Sequence, residues 1–131
     1  MDISVCIEQS EKYLLHVIIQ GALPKSANKM MRTHWRGNHS NLKRWKRIIS
    51  DAVRPFAPDE PFDKIKITAI RHNYRFLDYD GLVTSLKGPI DGVKGIIFKD
   101  DSYKVTGPWD VRQEFRAKNS GPVLELFFEE V

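Results

Sequence analysis

The chain has 131 residues, 41% hydrophobic and 29% charged, with 8 Gly, 7 Pro and a single cysteine, Cys6. That length suits one domain (1–131) that folds without a disulfide or structural metal, and the apolar content excludes a disordered or collagen-like chain. Of the net charge of +4, nine basic residues and no Asp or Glu lie between Lys12 and Ser50, whereas twelve basic and fourteen acidic residues follow from Asp51 onward. A basic block of this kind repels itself unless an anion occupies it, with nucleic acid the default candidate, and the bland alternative is a solvated helix face. The acidic start at Met1-Asp2 and the short apolar run Tyr13–Ile19 predict no signal peptide and no membrane partner, hence a cytoplasmic protein.

Tyr13–Gln20 is β-rich and ends at Gly21, which predicts a strand. Residues 21–39 predict a long functional loop loaded with Lys, Arg and His. Ser40 is placed to cap a helix running to Arg54, with Leu42, Trp45, Ile49, Ala52 and Val53 on one face and Lys43, Arg44, Lys46 and Arg47 off it. Asp63–Tyr74 alternates as a second strand. Leu82, Val83, Leu86, Ile90 and Val93 keep helical spacing from Asp80 to Val93, with a kink expected at Gly88-Pro89. A short piece follows at Ile96–Phe98, then a turn at Asp100-Asp101-Ser102. Strands are predicted at Tyr103–Thr106, Val111–Ala117 and Val123–Glu129. Without regular βαβ alternation, this order predicts an α+β fold with a small mixed sheet and two main helices.

Two acidic spots carry the candidate chemistry. Asp78-Tyr79-Asp80 follows the second strand, and in extended backbone two carboxylates at i and i+2 converge. Close like charges are tolerated when a cation lies between them, and sparse oxygen ligands suit Mg²⁺. The bland alternative has Asp80 capping the helix and Asp78 exposed. Asp100-Asp101 is either ordinary turn chemistry or a second set of ligands brought to the same end of the sheet. Lys87 lies between the two spots and either pairs with Asp91 at i,i+4 or supports charge on a phosphate. Lys29, Arg32, Arg36, Lys43, Arg44 and Arg47 are uninterrupted by acids and are expected to line a DNA path. Trp45 sits on the apolar face, where core packing outweighs base stacking, whereas Trp35 in the loop is open to either. His16, His34, His39 and His72 lack sequence neighbours for a metal or triad site, and Cys6 has no nearby base.

In combination, Asp78-Tyr79-Asp80-Gly81-Leu82, Lys87, Asp91-Gly92-Val93, Gly95-Ile96-Ile97 and Asp100-Asp101-Ser102 resemble the RusA-type Holliday junction resolvases. That family's signature runs Asp-x-Asp-Asn-Leu, a helix with a lysine, Asp-Ala-Leu, a glycine, and a hydrophobic residue before Asp-Asp. Upstream, Gly21-Ala22-Leu23-Pro24-Lys25-Ser26-Ala27-Asn28 is similar to its Pro-x-Ser-x-Asn loop, which adds Asn28 to the DNA-binding residues. The resemblance implies a homodimer that binds four-way DNA junctions and nicks them symmetrically with Mg²⁺ or Mn²⁺. It assigns Asp78, Asp80 and Asp101 as metal ligands, Asp100 as their acidic neighbour and Lys87 as the catalytic lysine, with Thr84 an alternative register. Gly81 stands where the family has Asn, and Gly88-Pro89 interrupts the lysine-bearing helix. The rival expectations are a nucleic-acid-binding protein without cleavage and an interaction protein whose acidic spots are only caps and turns. Dimer symmetry matches that of a junction; the apolar strand Val123–Phe128 is expected to be sheet core rather than interface.

Overall fold

The computed structural model describes residues 3–10, 14–24 and 35–131, with the side chains of 35–40 outside the description. Five strands form one mixed sheet, in the order β1 (Ser4–Glu8), β2 (Leu15–Gln20), β5 (Val123–Glu130), β3 (Ile65–Asn73) and β4 (Asp110–Phe115). All neighbours are antiparallel except β3 and β4, which run parallel. A parallel pair needs a crossover, and here it carries three helices: α2 (Tyr79–Ser85), α3 (Lys87–Val93) and α4 (Tyr103–Thr106). The long helix α1 (Trp35–Val53) precedes β3 and packs on α3. This is an α+β architecture.

Strict alternation builds the core. Leu15, Val17 and Ile19 of β2, Ile65, Ile67 and Ala69 of β3, and Leu124, Leu126 and Phe128 of β5 share one face. Trp45, Ile49 and Val53 of α1 and Ile90 and Val93 of α3 close over it. Trp45 is thus a core residue, 4% exposed. Val123–Phe128 is central sheet, paired on both sides.

Several boundaries differ from expectation. α1 begins at Trp35, so 35–39 are helix rather than loop, and Ser40 lies inside it. β1 was not anticipated. The Asp80–Val93 helix is two helices, broken at Leu86 rather than at Gly88-Pro89. Pro89 has no N–H for the Ser85 carbonyl and its ring crowds that oxygen. The chain tightens there, with Leu86 N–H bonding Val83 O at 3.1 Å, and Pro89 then sits in the first turn of α3. Tyr103–Thr106 is a helical turn, not a strand: Ser102 enters it in extended conformation, and Gly107 ends it at φ 60°.

Two glycines let α3 approach α1. A Cβ at Gly88 would lie 2.9 Å from Trp45 Cβ, and one at Gly92 would lie 2.8 Å from the Lys46 carbonyl oxygen and 2.7 Å from Ile49 Cβ. Ser50 Oγ ties the same crossing by donating to Gly92 O at 2.9 Å.

Candidate nucleic-acid interface and carboxylate site

The apolar stripe that seats α1 leaves its opposite side to solvent. Lys43, Arg44, Lys46 and Arg47 are exposed there and, with Ser50, Asp51 and the exposed Arg54 just past the helix end, line an open cleft of about 680 Å³. From Lys43 to Arg54 the helical rise carries these charges over about 17 Å, so they form a short stripe rather than a spot. Lys43, Arg44, Lys46 and Arg47 lie off the apolar face, as expected, and Arg54 extends the surface. Arg36 belongs to α1, but its side chain lies outside the described residues, as do Asn28, Lys29 and Arg32 altogether.

The candidate acidic residues lie in the crossover between β3 and β4. Asp78 is extended (φ −68°, ψ 168°) and caps α2, its Oδ1 accepting from Gly81 N–H at 2.8 Å. Asp80 falls in the first helical turn, where a carboxylate meets the positive end of the helix dipole. The extended i,i+2 geometry therefore does not hold for this pair, and the cap is Asp78 rather than Asp80. Both carboxylates are exposed. Gly81, buried in the first turn, adds no side chain beside them.

Asp100 closes a turn by accepting from Ser102 N–H through Oδ1 at 2.8 Å, and its hydrogen bonds with Ser102 hold the carboxyl below its ordinary pKa. Asp101 is exposed and borders a shallow cleft of about 290 Å³ together with Tyr79 and Val83 of α2, Tyr103 and Trp109. The structure thus brings Asp101 to the helix that carries Asp80. Among the described residues, however, no three His, Cys, Asp or Glu side chains are gathered to hold a metal by themselves.

The lysine at Asp101 is Lys94, not Lys87. Lys94 Nζ lies 3.9 Å from Asp101 Oδ1 and 3.5 Å from Asp91 Oδ1, so Asp91 pairs at i,i+3 rather than with Lys87 at i,i+4. Lys87 opens α3 and is exposed; Thr84 is half-buried near the end of α2. The i,i+3 spacing signals the Asp91–Lys94 pair in the sequence, but nothing there signals the contact with Asp101.

The histidines have companions that sequence neighbours do not reveal. On the face of the sheet away from the core, Glu125 of β5 takes His16 Nε2 at 3.1 Å and His72 Nε2 at 2.7 Å on its two oxygens. Glu8 and Glu114 lie 3.6 Å from the Nδ1 atoms of His16 and His72. One residue from each strand thus forms an acid–imidazole row across the sheet. His34 and the side chains of His39 and Trp35 lie outside the described residues; Cys6 is exposed and free.

Among the described residues, no helix is long and apolar enough to cross a membrane. No protein-family model matches the chain, and no curated protein matches it.

Proposed function

We propose that the chain is a structure-selective endonuclease of the RusA resolvase type, a homodimer that nicks four-way DNA junctions with Mg²⁺ or Mn²⁺. The observation that carries this reading is the packing of α1, with its outward basic stripe, onto α3, the helix that presents Lys87 at one end and Lys94 beside Asp101 at the other. A phosphate backbone seated on α1 gains affinity by counterion release. Mg²⁺ takes one or two protein carboxylates and fills its shell with water and phosphate oxygens, which fits Asp78, through its uncapped Oδ2, and Asp80 at the start of α2. The cation would supply an activated water or a polarised phosphate. Asp101 adds a third acid, and Lys87 and Lys94 add positive charge against a developing oxyanion.

A second reading, DNA binding without cleavage, is favoured by the absence of a three-ligand group among the described residues and by the Lys94–Asp101 contact. Nicking by the wild-type chain separates the two, and Asp80→Asn ties the nicking to this site. On the first reading the substitution abolishes nicking and leaves junction affinity within about twofold, because affinity rests on phosphate contacts. Wild-type binding without nicking under Mg²⁺ or Mn²⁺ would establish the second.

A further inference from the structure

The short loop between β3 and α2 decides where Asp78 and Asp80 stand, and two side chains hold it. Arg71 donates from Nη1 to the Arg75 carbonyl at 2.7 Å. Gln113 accepts from Leu77 N–H through Oε1 at 2.8 Å and donates from Nε2 to the Leu77 carbonyl at 2.9 Å. Arg71 and Gln113 are register partners on the two parallel strands, so they leave the same face of the sheet side by side. The loop is therefore bonded at Arg75 and on both sides of Leu77, immediately before the capping aspartate.

Stability alone does not account for Arg71. It is 8% exposed, its Nε has no hydrogen-bond partner among the described residues, and it enters no salt bridge there. Burial also draws its pKa below the ordinary guanidinium value. A buried cation with an unused donor costs more than an apolar side chain of the same length. What the position gains is a fixed donor under the loop.

We propose that Arg71 and Gln113 are positioning residues that set the placement of Asp78 and Asp80. This rests on the reading of those carboxylates as the site of the endonuclease. Displacing reacting groups by as little as about 1 Å slows catalysis by up to about 100-fold, so a two-point clamp one residue from Asp78 bears directly on rate.

The test uses the full chain with Gln113→Ala, Arg71→Met and Arg71→Lys, read by amide hydrogen exchange and by Mg²⁺-dependent nicking of a synthetic four-way junction. In Gln113→Ala, exchange at Leu77 and Gly81 is expected to rise at least about tenfold while Val17 and Ile67 are unchanged, since the opening is local. Its kcat should fall about tenfold with KM within about twofold, the pattern of a lost transition-state interaction. Arg71→Lys keeps one donor for Arg75 O and should recover most of what Arg71→Met loses. Faster loop exchange with unchanged kcat would overturn the positioning role. So would a uniform rise in exchange across the sheet, which would make the clamp a general brace. A wild-type chain that nicks no junction would sink the endonuclease reading alone. Mn²⁺-induced relaxation of the Asp78 and Asp80 signals would then replace kcat: loss of that relaxation in Gln113→Ala supports the clamp, and its persistence overturns it.

Discussion

Replacing Gly92 with alanine adds one methyl at the point where α3 crosses α1. Gly92 is the next-to-last residue of α3, so the change by itself gains less than the helix propensity of about 1 kcal/mol found in a helix interior. At this crossing the new Cβ would lie 2.8 Å from the Lys46 carbonyl oxygen and 2.7 Å from Ile49 Cβ. Neither contact is with the free end of a flexible side chain, so the two helices must separate by several tenths of an ångström. Overpacking of this kind costs about 1–3 kcal/mol, and a clash with backbone belongs at the upper end. The net expectation is a loss of about 2 kcal/mol, or about 5–10 °C in Tm for a chain of this size. Thermal and urea unfolding measure it, with Gly95→Ala as a control of a different kind: its Cβ would meet nothing within 4 Å, but its φ is +81°, which costs about 1–2 kcal/mol through left-handed backbone. A Gly92→Ala protein as stable as wild type, or more so, would refute the close-packed crossing.

Three further outcomes are expected. Glu125→Ala removes the acceptor shared by His16 and His72 and should cost about 1–3 kcal/mol in urea unfolding at neutral pH; a loss below about 0.5 kcal/mol would show the row to be energetically idle. Arg44→Ala/Arg47→Ala should weaken junction binding and lower the salt slope by about 2, whereas an unchanged slope would remove α1 from the DNA path. Asp100 should titrate below the ordinary carboxylate value because Ser102 bonds its charged form. A depressed folded pKa gives stability that is present above the unfolded pKa and is lost as pH falls through the folded one. Ser102→Ala, which removes the hydroxyl and keeps the backbone N–H bond, should bring the Asp100 midpoint up in carboxyl NMR, and an unmoved midpoint would contradict the hydroxyl's bond to Asp100.

Periodic segments were legible in the sequence, and long-range partners were not. The alternation of Ile65 and Ile67 against Lys64, Lys66 and Thr68, and the stripe Trp45, Ile49 and Val53, report directly which side is buried. Helix continuity failed at Leu86 because a proline acts on the residue four positions earlier, not where it stands. Tyr103–Thr106 reads as a strand because three of its four residues are β-prone, but these cannot overrule an extended entry at Ser102 and a glycine stop. The start of α1 was obscured by Gly37 and Asn38, poor helix formers that a helix of 19 residues nevertheless accommodates. His16 and Glu125 are 109 positions apart, and Gln113 reaches Leu77 across 36; strand pairing alone creates such neighbours. For the candidate site, sequence located the basic helix and the acidic spots, while the cap at Asp78 and the Lys94–Asp101 contact needed coordinates.

The decisive measurement incubates the purified chain with a synthetic four-way junction, each strand labelled in turn, with and without Mg²⁺. Paired nicks are expected at symmetry-related positions on two opposing strands, dependent on the cation and absent in Asp80→Asn. Cation-dependent cleavage that persists in Asp80→Asn, or junction binding with no nick on any strand, would contradict the endonuclease reading of this site.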